Sequence, residues 1–118
     1  MMPQHEKIDY VEFPCRDFAI TKAFFTAVFG WTFVDYGESY MAFSSAGLEG
    51  GFYHVDMASS ADDGGALIVF YSDDLSATEE KIKHHGGKIV KPTFDFPGGR
   101  RFHFTEPSGN EFAVWTAA

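Results

Sequence analysis

Two hydrophobic rhythms run along the chain and divide it into elements. Strict alternation comes first over residues 8–13, with Tyr10 and Glu12 on one side and Val11 and Phe13 on the other, as in a strand with two unlike faces. The rhythm then changes. Phe18, Thr21, Phe24, Phe25, Val28 and Phe29 recur at helical spacing, a wide apolar stripe suited to packing on a sheet. Asp17 is placed to cap that helix, because its carboxylate can accept the free amide hydrogens of the first turn. Gly30 is placed to end it in a left-handed conformation. Strand-like runs follow at 31–35, 40–44 and 50–55, with turns at Gly37 and Gly47. The adjacent Gly50 and Gly51 predict a bulge or a close approach of other atoms to the backbone.

A small, acidic, turn-prone stretch at 58–65 reads as a linker, after which the same order restarts. Residues 66–71 read as a strand, Asp74 as a cap, 75–85 as a helix with Leu75, Thr78 and Ile82 inward, and 88–90 as a strand. Gly86 and Gly87 stop the helix, and residues 94–99 read as a loop. The closing stretch is a hairpin. On its first arm Arg101 and His103 alternate with Phe102 and Phe104; on its second, Glu111, Ala113 and Trp115 alternate with Phe112 and Val114. Glu106, Pro107, Ser108, Gly109 and Asn110 supply the turn chemistry between the arms. A face carrying Arg101, His103, Glu111 and Trp115 is too polar for a core and too aromatic for a bare surface.

The two halves superpose at an offset of 57 residues, setting Tyr10 on Leu67, Asp17 on Asp74, Gly30 on Gly87 and Phe33 on Val90. Each unit is strand, helix, three strands, and neither can bury both faces of a four-stranded sheet alone. The expected fold is therefore α+β: two tandem βαβββ units forming a curved, half-open, barrel-like sheet with helices outside. A single domain over residues 1–118 is expected, with unit one at about 8–57 and unit two at about 66–116.

Composition narrows the function classes. A chain of 118 residues suits one domain, and a formal charge of −8 argues against nucleic acid or an anionic membrane as partner. The single cysteine, Cys15, cannot form an internal disulfide and fits a reducing compartment. No charged-then-apolar leader opens the sequence and no run is long and apolar enough to span a bilayer, so a cytoplasmic location is expected. Most of the 14 Phe should fill the core.

This duplicated unit resembles the vicinal oxygen chelate superfamily, which holds glyoxalase I, extradiol dioxygenases, and fosfomycin- and bleomycin-resistance proteins. The likeness is carried by residues 17–30, with Lys22, Ala23, Phe24 and Phe25 and then Phe29, Gly30 and Trp31. It is carried also by the exit Tyr71, Ser72, Asp73, Asp74, Leu75 and by the turn Glu106 to Asn110, and it spans about residues 8–116. The resemblance implies a metal held from the first and last strands of each unit. The matching places hold Tyr10, Leu67 and Ala113, with a fourth somewhere in 50–54, and neither Leu nor Ala offers a donor. What the resemblance then implies is a member with no metal and no cofactor, a small-molecule binder related to the bleomycin-resistance proteins, working as a homodimer.

Tyr10, Glu12, Phe52, His54, Arg101, His103 and Trp115 are the residues expected to bind the ligand, the aromatics by stacking and Arg101 through a carboxylate or carbonyl. Two other readings stand beside this one. His54 with Glu12, His103 and Glu111 would make a relocated metal site in a glyoxalase- or dioxygenase-like enzyme. Alternatively, the sheet and dimer surface would serve a protein partner.

Overall fold

A computed structural model describes residues 2–118. The first unit runs β1 (Tyr10–Cys15), α1 (Phe18–Phe29), β2 (Thr32–Asp35), β3 (Tyr40–Ser44) and β4 (Glu49–His54). The second repeats it as β5 (Ile68–Tyr71), α2 (Leu75–His84), β6 (Lys88–Phe96), β7 (Gly99–Thr105) and β8 (Glu111–Ala117). Each unit makes one open four-stranded sheet, in the orders β1-β4-β3-β2 and β5-β8-β7-β6. The first and last strands of each unit lie parallel, and the other pairs are antiparallel. Among the described residues no ladder joins the sheets, so β1 and β5 are both edges. The fold is α+β, as the repeat predicts.

Local chemistry sets the helices where the caps stand. The Asp17 carboxylate accepts from the amide of Ile20 and the Asp74 carboxylate from that of Ala77. Gly30 adopts φ of 71° and its amide closes back on the last turn of α1. Strand ends moved more. Ile8 is exposed and outside β1, while Pro14 and Cys15, expected to close that strand, belong to it through pairing with Tyr53 and His54. The expected loop at 94–99 is corrected too: β6 continues to Phe96, and only Pro97 and Gly98 turn. Gly50 and Gly51 make no bulge. They admit close neighbours, the Phe43 ring over Gly50 and the Tyr40 ring over Gly51.

One core serves both units. Val11, Phe13, Met41, Phe43 and Phe52 on sheet one, and Ile68, Phe70, Phe102, Phe104, Phe112 and Val114 on sheet two, all join it. Helix α1 bridges the two: the Phe25 ring lies 5.9 Å from Phe52 and 5.3 Å from Phe112, and it stacks on Trp31 at 4.1 Å. Phe13 reaches Phe112 directly at 5.1 Å. Because both sheets turn one face to this core, the alternate residues of every strand stand on two open faces pointing away from it. Eight of the 14 Phe are buried in the core and four more pack against it, which leaves Phe94 and Phe96 alone on an open face.

A polar clasp reinforces the apolar joint between units. Ser108 in the β7–β8 turn bonds Thr21 of α1 at 2.8 Å and the backbone of Asp17. Asn110 donates to the carbonyl of Pro14 at 2.7 Å, and Glu106 accepts from Thr21 at 3.1 Å. Burial pushes the Glu106 carboxyl up to about 7, against the downward pull of bonds from Ser108, Thr21, Asn110 and Gly109. Cys15, fully buried, points its thiol at Thr21 from the same clasp. Among the described residues no helix is long and apolar enough to cross a membrane.

Candidate functional site

The open face of sheet one carries Tyr10, Glu12, Tyr40, Gly51 and Tyr53, all at the same parity. Glu12 pairs in register with Gly51, and Tyr40 with Tyr53. Because residue 51 lacks a side chain, the Tyr40 ring lies across it and reaches Glu12, donating to the carboxylate at 2.9 Å. Tyr40 thereby commits its only hydrogen, so Tyr10 is the donor in the 2.6 Å bond between the two phenols. Burial, and then these hydrogen bonds, push the Tyr40 hydroxyl upward, so it keeps its proton. The product is a hydrogen-bonded line, Tyr10 to Tyr40 to Glu12, with Tyr10 at its exposed end.

The open face of sheet two gathers Arg101, His103, Glu111 and Trp115, the group set together by the alternation of the hairpin. His103 Nδ1 lies 2.9 Å from Glu111, whose other oxygen accepts from the amide of Ala61 at 2.9 Å. Burial alone would raise the Glu111 carboxyl, but the bonds from His103 and Ala61 and the charges of His103 and Lys91 outweigh it and hold the group low. An ionised Glu111 only accepts, so Nδ1 is the nitrogen that carries hydrogen. The other ring nitrogen, Nε2, is buried with no hydrogen-bond partner, as is Arg101 Nε. Phe94 covers this pair of strand neighbours: its ring lies 5.2 Å from the Arg101 guanidinium and 5.9 Å from His103. Tyr71 stands against Trp115 at 5.2 Å. A cavity of about 280 Å³ opens beside His103, Glu111, Lys91 and Thr105, with Ser60, Ala61 and Asp62 of the linker as its far wall.

The seven residues singled out from the sequence therefore fall into three places. Tyr10 and Glu12 share one open face; Arg101, His103 and Trp115 share the other; no hydrogen bond, ion pair or ring contact links the two groups among the described residues. Phe52 and His54 lie at the opposite parity of β4. Phe52 is in the core, and His54 packs its ring edge on Phe18 while Nε2 meets the carbonyl oxygen of Arg16 at 3.2 Å. Tyr40 and Phe94 were not singled out. The paired glycines predict a close approach but not by what, and the turn residues after Phe94 predict a loop where the structure has β6.

The resemblance to metal-binding relatives can be tested on the donor set. Glu12 faces Gly51 across its ladder and Val69 faces Ala113 across the matching one, and residues 12 and 69 are equivalent in the repeat. Gly51 is thus the counterpart of Ala113, and it fills the fourth place. The four positions hold Tyr10, Gly51, Leu67 and Ala113, and the space beside Gly51 is taken by Tyr40. A divalent ion needs three or four convergent N, O or S donors, so these residues do not fit one. Among the described residues no three His, Cys, Asp or Glu side chains are grouped to hold an ion elsewhere.

Twin strand–helix–three-strand units with two polar-aromatic open faces define a class, that of the glyoxalase fold. A sequence model of the "Glyoxalase/Bleomycin resistance protein/Dioxygenase superfamily" matches residues 7–114, and the chain belongs to that superfamily. It is 30% identical over 117 residues to the anthracycline biosynthesis protein DnrV of Streptomyces peucetius, a match covering 84% of this chain and 42% of the relative. It is 26% identical over 117 residues to the putative glyoxylase CFP32 of Mycobacterium tuberculosis, covering 92% of this chain and 45% of that protein. The chain thus spans less than half the length of these curated relatives. Among solved structures, the fosfomycin resistance protein FosX of Listeria monocytogenes superposes with a TM-score of 0.74 at 20% identity, covering 99% of this chain and 96% of the other. Lactoylglutathione lyase of Agrobacterium tumefaciens superposes with a TM-score of 0.71 at 19% identity, covering 96% and 95%. Both likenesses concern the fold.

Proposed function

We propose that this protein binds a small organic molecule without a metal ion, using its open sheet faces as the binding walls. The observation that carries the reading is the set of four residues at the superfamily's metal positions. Tyr10, Gly51, Leu67 and Ala113 supply at most one oxygen, and Tyr40 occupies the volume a ligand side chain at 51 would need. What replaces the donors is aromatic: Tyr10, Tyr53, Tyr71 and Trp115 offer ring surface, while Glu12, Arg101 and His103 offer hydrogen bonds. Flat rings with a few polar anchors suit a planar, oxygen-bearing ligand. A relative named for anthracycline biosynthesis makes hydroxyanthraquinones the first compounds to try.

Two open faces on one chain favour a homodimer. Tyr10, Val34, Tyr53, Val69, Tyr71 and Val90 stand on these faces and each is at least 40% exposed, more apolar surface than a sheet commonly leaves to water. Setting the sheet-one face of one copy against the sheet-two face of another would cover both and bring Tyr10 and Glu12 opposite Arg101 and His103.

Metal analysis of untagged protein, followed by titration of a hydroxyanthraquinone with and without EDTA, tests the proposal. Binding that survives chelation is expected, together with a light-scattering mass twice the chain's 13.2 kDa. Stoichiometric nickel, zinc, iron or manganese, with binding lost on chelation, would overturn it.

A further inference from the structure

Phe94 sits in an unusual place for a phenylalanine of this chain. Twelve of the 14 lie in or against the core, yet Phe94 lies among basic side chains on an open face. Lys91 Nζ is 5.4 Å from its ring centre, the Arg101 guanidinium 5.2 Å, and the His103 ring 5.9 Å. Lys91 and Arg101 make no ion pair among the described residues. Arg101 Nε and His103 Nε2 are buried without partners, and His103 is itself 4% exposed. Although the chain is acidic overall, two cations, Lys91 and Arg101, both stand against this one ring, with Glu111 engaged on the far nitrogen of His103.

The strand that carries Phe94 is irregular. β6 is an edge strand whose register on β7 shifts between Ile89 and Lys91 and again between Lys91 and Phe94. Pro92, inside that stretch, has no amide hydrogen to give.

We propose that Phe94 is a displaceable plug in a subsite for an aromatic carboxylate, bounded by Lys91, Arg101 and His103. The ring of the ligand takes the place of the Phe94 ring, and its carboxylate receives Arg101 Nε–H, with the Lys91 ammonium and His103 Nε2 at its margin. Glu111 serves as a positioning residue by holding Nδ1, which aims Nε2 at the subsite. A charge-assisted hydrogen bond outweighs a cation–ring contact at a half-exposed site, so the exchange favours the ligand. This rests on reading the open faces as small-molecule surface, and it adds the chemical class of one ligand portion.

Benzoate is the probe, titrated at constant ionic strength with binding followed by backbone amide NMR. Phe94→Ala, and separately Phe94→Val as a milder truncation, should bind benzoate about tenfold tighter than the parent. Shifts should centre on Lys91, Arg101 and His103. Adding Arg101→Ala to either variant should abolish the gain, and cyclohexylmethanol, lacking the charge, should show none. No gain on truncation, a gain that survives Arg101→Ala, or shifts centred elsewhere would each overturn the plug. Hydroxyanthraquinone binding and metal content, measured on the same samples, report separately on the broader reading.

Discussion

Tyr40 lies over Gly51, its hydroxyl in the space that a β-carbon on residue 51 would fill, and from there it donates to Glu12. This one contact both closes the position where relatives would place a metal ligand and builds the line from Tyr10 to Glu12. Gly51→Ala should therefore force Tyr40 aside and break two hydrogen bonds, at a cost of roughly 1–3 kcal/mol as for other overpacked sites. Urea denaturation of Gly51→Ala, Tyr40→Ala and the double variant measures it. If the two losses simply add, the residues are not coupled and the contact has been misjudged.

Glu106 gives a pH dependence whose sign can be worked out. Its carboxyl ionises near 4.5 when unfolded and is pushed up to about 7 by burial when folded. Between those values the unfolded chain has released a proton the folded one still holds. The contribution is full below about pH 4.5, falls as pH rises to about 7, and stays lost above, a swing on the order of 3 kcal/mol. Glu106→Gln should flatten the stability profile between pH 5 and 7. Parallel profiles for parent and variant would show that the clasp carries no such penalty.

Glu111 has the opposite sign. Its folded carboxyl is held low, on balance, by His103, the Ala61 amide and Lys91, against burial. The stability it confers is present above its unfolded value and drains away as pH falls through the folded one. Glu111→Gln should cost about 1–2 kcal/mol at pH 7 through the lost charged hydrogen bond, and the gap to the parent should narrow under acid. A gap that widens on acidification would contradict the assignment.

Phe25 joins both sheets through Phe52 and Phe112 and stacks on Trp31 at 4.1 Å. Phe25→Ala should cost about 3–5 kcal/mol and loosen the two units together. Hydrogen exchange should show amides of β4 and β8 losing protection in parallel. Loss confined to one sheet would mean the units are separately stable.

Cys15 is fully buried in the clasp, next to Thr21. Its alkylation by iodoacetamide should be slow in the native protein and should speed up with urea in step with unfolding. Rapid native labelling would mean the clasp opens on its own.

How far the sequence reached depended on how far apart the interacting residues lie. Asp17, Gly30 and Asp74 act on their own neighbours, and all three stand where the helical rhythm put them. The shared face of Arg101, His103, Glu111 and Trp115 follows from parity across one tight turn, so it too was legible. The end of β1 was not, because Pro14 and Cys15 become strand only by pairing with Tyr53 and His54. Nor was the place of Phe94. Pro97 and Gly98 made its surroundings read as loop, whereas β6 runs on to pair Phe96 with Gly99. Tyr40 and Glu12 are 28 positions apart, and nothing local announces their bond.

The edges of β1 and β5 have a final consequence. Each lacks a strand partner on its outer side, and at Pro14 of the first there is no amide hydrogen and the carbonyl is already taken by Asn110. Should the edge of β1 in one copy take up that of β5 in another, the match is head-to-tail, since the two edges differ in sequence. Such a match closes after two copies when the rotation between them is a half-turn and into a larger ring when it is another whole fraction of a turn without rise; any other rotation carries on into a fibre. The angle between the sheets within one chain, set by Phe13, Phe25 and Phe112, thus decides between a closed ring and an endless string.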